Sequence, residues 1–148
     1  MTNDEFALAE EIIDQASDAL IYADRAGRIE RWNQAACRLF GYSAAEALGA
    51  SLDLIIPEYL RAAHWAGFNA AIDSGQTRLH GHPALTRAMH KDGRKLYVEM
   101  TFALVKDGGG AAVGSVAMAR DVTVRVEKER AARRPAAGEP PTGRGPGR

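Results

Sequence analysis

Apolar residues recur at Phe6, Ala9, Ile12, Ile13, Ala16 and Leu20, with Glu10, Glu11 and Asp14 on other faces. That spacing belongs to one side of a helix, so residues 1–18 read as an amphipathic N-terminal helix. Its stripe could cap its own domain or meet a second copy. From residue 19 the period changes. Residues 19–23 read as a strand and Asp24-Arg25-Ala26-Gly27 as a turn. Residues 28–32 then alternate charged and large apolar side chains, the period of a second strand. The two strands make a hairpin.

Short helical regions follow. Asn33 is a good N-cap for residues 34–40, and Gly41 ends that helix. Ser43 and Glu46 form a capping box, and Gly49 closes the helix it opens. Pro57 opens a third helix running to about Asp73, stopped by Ser74-Gly75. From Gln76 the chain becomes strand-like. Runs at about 79–90 and 95–105 flank the turn Lys91-Asp92-Gly93-Arg94. A second turn, Asp107-Gly108-Gly109-Gly110, precedes a final strand at 111–119. The order predicts an α+β fold, a five-stranded antiparallel sheet with short helices grouped on one face.

The domain proper therefore spans 19–121. Residues 122–134 are charged and helical in propensity, and Pro135 ends them. Residues 135–148 contain only Pro, Gly, Ala, Thr, Arg and Glu, a composition expected to be disordered because it cannot bury a core.

Composition narrows the partners. One core of ordinary size accounts for 148 residues. Zero formal net charge gives no pointer to nucleic acid or an anionic membrane surface. The lone Cys37 excludes an internal disulfide and any CxxC motif. The chain has no apolar run of about 18 residues, hence no expected transmembrane helix. An acidic start without a basic n-region makes a cytoplasmic protein the expectation.

Several words, in order, carry a resemblance. Asp24 to Ala36 is a hairpin leading to a capping Asn33. Leu39-Phe40-Gly41-Tyr42-Ser43 follows, then Glu46, Leu48 and Gly49, then Lys91-Asp92-Gly93, then Ala119-Arg120-Asp121-Val122-Thr123. Over about residues 10 to 130 the chain resembles the PAS sensor family. The resemblance implies the PAS fold, with Asp121 and Thr123 tying the last strand to a signalling-type helix. Flavin-dependent light sensors of that family need a reactive Cys in an Asn-Cys-Arg-Phe-Leu-Gln setting. Cys37 lies instead in Ala-Ala-Cys-Arg-Leu-Phe, and reads as a small core hydrophobe.

Ile56-Pro57-Glu58-Tyr59-Leu60-Arg61-Ala62-Ala63-His64 is similar to the segment that supplies the proximal histidine in the haem-binding branch. The resemblance implies haem b held by His64, since no CxxCH offers covalent attachment. Imidazole suits iron. A gap-free register carries His82 onto the strand position of a distal methionine ligand in an oxygen-sensing phosphodiesterase of that branch. Two imidazoles would then face one iron from opposite sides. His80 shares the strand parity and is the alternative, and Met100 is a possible soft ligand. Pocket walls are expected from Ile55, Phe68 and Ile72 on the helical side, and from Leu85, Met100, Phe102, Val116 and Met118 on the strands. Trp65 would cover the haem edge or lie at the surface. Arg61 and Arg78 are candidates for propionate pairing. Oxygen-sensing relatives place an arginine two positions beyond the distal ligand, where this chain has Ala84. A response to redox state, CO or NO is therefore favoured over O2.

The leading functional expectation is a haem-based sensor that signals through an unknown partner or a change in oligomeric state, with a homodimer through the terminal helices. A haem-free PAS domain for interaction or metabolite binding is the alternative. A peroxidase-like enzyme lacks a distal acid–base pair in the sequence.

Overall fold

The computed structural model describes residues 2–133, so the tail expected to be disordered lies outside the described residues. Helix α1 (Asn3–Gln15) leads into strands β1 (Ala19–Asp24) and β2 (Ile29–Trp32). Helices α2 (Gln34–Phe40) and α3 (Ala44–Ala47), a 3-10 turn (Leu52–Ile55) and α4 (Glu58–Ser74) follow. Strands β3 (Ala84–Met89), β4 (Lys95–Lys106) and β5 (Ala112–Asp121) and helix α5 (Thr123–Arg133) complete the chain. The five antiparallel strands lie in the order β2-β1-β5-β4-β3. The α+β expectation, with flanking helices at both ends, holds.

The local signals act as the sequence predicts. The Asn33 side chain accepts from Ala36 N at 3.0 Å and caps α2. It also accepts from Leu20 N and donates to the carbonyls of Ile13 and Asp18, so one buried amide joins the end of α1 to β1 and α2. Ser43 and Glu46 close their capping box at both ends. At the exit, Asp121 accepts from Thr123 N, and Thr123 Oγ1 accepts from Tyr97 N at 2.9 Å. This binds the start of α5 to β4.

Register decides which side chains meet the helices, because alternate residues point to opposite sheet faces. Ala19, Ile21 and Ala23 of β1 are buried, and their partners Ala119, Ala117 and Ser115 share that inner face. Pairing extends the face to Met100, Phe102 and Leu104 on β4, and from Met100 to Ala84 on β3. Helices α2 and α4 and the 3-10 turn close over it, with Phe40, Ile55, Phe68 and Ile72 in one core. The outer face carries a smaller cluster, Tyr97 with Val122 and Val126 of the returning α5. Helix α1 buries no residue and leaves Phe6, Leu8 and Ile12 exposed. It is held by Arg31–Glu10 and Gln34–Asp14 contacts at its edge.

Candidate functional site

Pro57 caps α4, and His64 falls in the middle of that helix, one turn before the buried Phe68. The imidazole is half-buried, and its Nδ1 is buried with no hydrogen-bond partner. It meets the Trp65 ring edge-on at 4.7 Å and lies 5.9 Å from Phe68 at a 32° tilt. Phe68 in turn meets Phe102 of β4 at 6.2 Å. A chain of rings thus runs from α4 to the inner sheet face. Burial lowers the His64 pKa below its ordinary 6.5, with Asp53 partly opposing the shift. A neutral imidazole is the form that binds a metal.

Asp53 organises the approach to this helix. It accepts the Trp65 indole N–H at 2.8 Å and lies 3.8 Å from the Arg61 guanidinium. Arg61 also donates to the carbonyls of Ile56 and Asp53. Its fork therefore braces the bend between the 3-10 turn and α4. Sequence patterning singles out Arg61 and not Asp53; the available signal is an acid at the start of a helical turn. Trp65 packs against the β1–β2 turn, where a Cβ built on Gly27 would come within 2.1 Å of the indole. Gly27, at φ 80°, is the residue that permits both the turn and this approach.

The expected pocket walls divide. Ile55, Phe68 and Ile72 are 4, 3 and 6% exposed, and Met100 and Phe102 pack against the same core. Leu85, Val116 and Met118 lie on the opposite sheet face, away from His64. Leu85 pairs with Glu99, and Val116 and Met118 pair with Tyr22 and Leu20. The inner-face positions of β5 are Ser115, Ala117 and Ala119 instead. Strand period 2 is the reason, since moving one residue changes the face.

The distal candidates also move. The expected strand at 79–90 is shortened to Ala84–Met89. His80 has φ 50° and Gly81 φ 84°, two successive left-handed residues that cannot extend a strand. His82 N closes the turn on Leu79 O at 2.9 Å. Both histidines and Arg78 are exposed. Ala84 does face inward, beside Met100. For an iron porphyrin, the α4 side thus fits as one neutral donor with an aromatic and aliphatic wall. The second histidine lies in the turn ahead of the sheet edge. Among the described residues, no cluster of three or more His, Cys, Asp or Glu side chains could hold a bare metal ion. No helix among them is long and apolar enough to cross a membrane.

Comparison with known proteins agrees with this architecture. The oxygen sensor protein DosP of Escherichia coli is 32% identical over 98 residues, 66% of this chain and 12% of DosP. The sensor protein FixL of Bradyrhizobium diazoefficiens is 26% identical over 98 residues, 66% of this chain and 19% of FixL. The chain thus spans less than a fifth of either relative. Among solved structures, a PAS domain from Colwellia psychrerythraea superposes with TM-score 0.71 at 23% identity, covering 82% of this chain and 100% of that one. An RNA-binding light-oxygen-voltage receptor gives 0.69 at 26% identity, covering 88% of this chain and 36% of that one. Residues 17–124, from just before β1 to the start of α5, match the PAS domain family. The chain belongs to the PAS domain family.

Proposed function

We propose that this PAS domain is a haem-binding sensor module, with b-type haem held by His64 of α4. One observation carries the reading. His64 is a desolvated imidazole with a buried, unpaired ring nitrogen, on a helix that begins with the Pro57–Arg61–His64 spacing. A buried polar atom without a partner is costly, and ligation of that nitrogen by a metal would relieve the cost. Phe68, Phe102, Ile55, Ile72 and Met100 would wall the group. His82, with His80 as its alternative, would supply the second axial donor from the turn before β3, and Arg78 a charge for a propionate. Bound haem would supply an iron centre that responds to oxidation state or to a diatomic gas. Ala84, inward-facing and without a donor, favours redox state, CO or NO over O2. The response would reach α5 through the Asp121–Thr123–Tyr97 hydrogen bonds, and a partner or homodimer through the terminal helices. The test is an absorption spectrum of the purified chain after addition of hemin. A Soret band with low-spin, six-coordinate character in both oxidation states is expected.

A second reading, a haem-free PAS domain, has its own supporting observation. Phe68, Ile55 and Ile72 are tightly packed, and His80 and His82 are exposed. A protein that takes up no hemin and develops no Soret band would establish this reading in place of the first.

A further inference from the structure

A groove of about 340 Å³ lies on the other side of the sheet, between α5 and the outer faces of β3 and β4. Three guanidiniums line it, from Arg87, Arg130 and Arg133, against the single carboxylate of Glu129. Arg87 and Arg130 converge on one ring. Their guanidinium carbons lie 5.7 and 5.2 Å from the centre of Tyr97. Arg87 also donates to the Tyr59 hydroxyl at 2.9 Å, which fixes its head and leaves the phenol proton free to donate. Among the described residues neither Arg87 nor Arg130 forms a salt bridge, although Arg120 and Arg125 nearby are each paired with an acid. Leu85 and Val126 supply an apolar floor.

Two guanidiniums without an acid partner thus lie at one ring and line one groove. A ligand that brings negative charge into the groove would gain charge-assisted hydrogen bonds from them, and guanidinium forks match phosphate and carboxylate in geometry. We infer that this groove is a binding site for a small organic oxyanion, with its phosphate or carboxylate head between Arg87 and Arg130 and its apolar body on Leu85 and Val126. Arg87 belongs to β3 and Arg130 to α5, so the ligand bridges the sheet to the exit helix. Tyr97, whose ring both cations approach, is the residue whose backbone already anchors the start of α5. Occupancy therefore pins α5 to the sheet. The inference is independent of haem, since it uses the opposite sheet face.

Phenyl phosphate, benzoate and inorganic phosphate are the probes, titrated into the full chain at constant ionic strength and followed by NMR at the Tyr97 amide and arginine Nε–H groups. Saturable shifts with phenyl phosphate or benzoate are expected, with inorganic phosphate at least tenfold weaker. Arg87→Gln and Arg130→Gln should each weaken binding by roughly tenfold or more while leaving the melting temperature within about 2 °C. Amides of α5 should exchange more slowly with the organic anion bound. Three results would overturn the site: no saturable shift, undiminished binding in the double variant, or shifts that track protein concentration instead of ligand. The last would mark the groove as a contact between copies. Inorganic phosphate binding as tightly as phenyl phosphate would remove the apolar half of the inference.

Discussion

The two histidine regions of this PAS domain are built to different standards. His64 stands on a 17-residue helix, its ring against Trp65 and Phe68, with Asp53 and Arg61 bracing the helix start. His80 and His82 stand in an exposed turn that makes no contribution to the core. One imidazole is fixed by packing, and the others are fixed only by local backbone geometry. Rigid elements hold ligands accurately, whereas turns can open at little cost. In the proposed sensor the proximal side is therefore the anchor. The distal side is the part free to change with oxidation state or gas, the division of labour a switch needs.

The largest expected contrast is in stability. Phe68→Ala removes the ring that links His64 to Phe102 and should cost about 3–5 kcal/mol. His82→Ala should change stability by less than about 0.5 kcal/mol. Chemical denaturation of the two variants without haem checks both values. A Phe68→Ala cost below about 1 kcal/mol would show that the α4 side is as loosely built as the turn.

Ala84→Arg comes next. It places a cationic donor at an inward-facing position beside Met100. A charge-assisted hydrogen bond is worth about 1.5–3 kcal/mol, or roughly one to two decades in affinity. The ferrous, haem-loaded variant should autoxidise more slowly in air than the unmodified chain. Slow autoxidation of the unmodified chain would mean that another donor, such as Arg87, reaches the iron and that the outer-face placement of Arg87 changes on loading.

A subtler effect separates the distal candidates. His82→Ala should convert a six-coordinate spectrum to a five-coordinate or water-bound one and speed CO binding. If His80→Ala does so instead, the turn closes on the iron in a register shifted by two residues. If neither variant changes the spectrum, Met100 takes the axial position.

The smallest effect is in pH. Burial lowers the folded-state pKa of His64, whereas the unfolded value is about 6.5. Above that value both states hold His64 neutral, and its contribution to stability is constant. As pH falls below it, the unfolded chain binds a proton that the folded chain resists, so stability declines until the folded pKa is passed. Without haem, the unmodified chain should lose more stability between about pH 7.5 and 5.5 than His64→Gln does. Equal slopes would mean that the imidazole is better solvated than its buried Nδ1 implies.

Most of the fold is legible in the sequence because its signals are local. Asn33, the Ser43–Glu46 box, Gly41 and Gly75 act within one turn of the helix each terminates, and α2 begins and ends where its caps predict. The placement of the proposed donor is legible for the same reason, since Pro57 opens the helix that carries Arg61 and His64. Failures occur where a face had to be assigned across the sheet. Leu85, Val116 and Met118 are apolar and lie on real strands, yet the register turns them outward. The turn at His80–His82 was signalled by Gly81 and Pro83, which punctuate the apparent alternation. Asp53, Tyr59 and Tyr97 carry no pattern of their own. They acquire roles only through partners distant in sequence.

Retention of hemin by His64→Ala tests the central claim most directly. The variant and the unmodified chain are loaded with hemin, passed through a desalting column and compared by Soret absorbance per folded chain. The account predicts a stoichiometric Soret band in the unmodified chain, its loss or severe weakening in His64→Ala with the fold intact, and partial recovery on adding imidazole. Full occupancy of His64→Ala with an unchanged spectrum would contradict it.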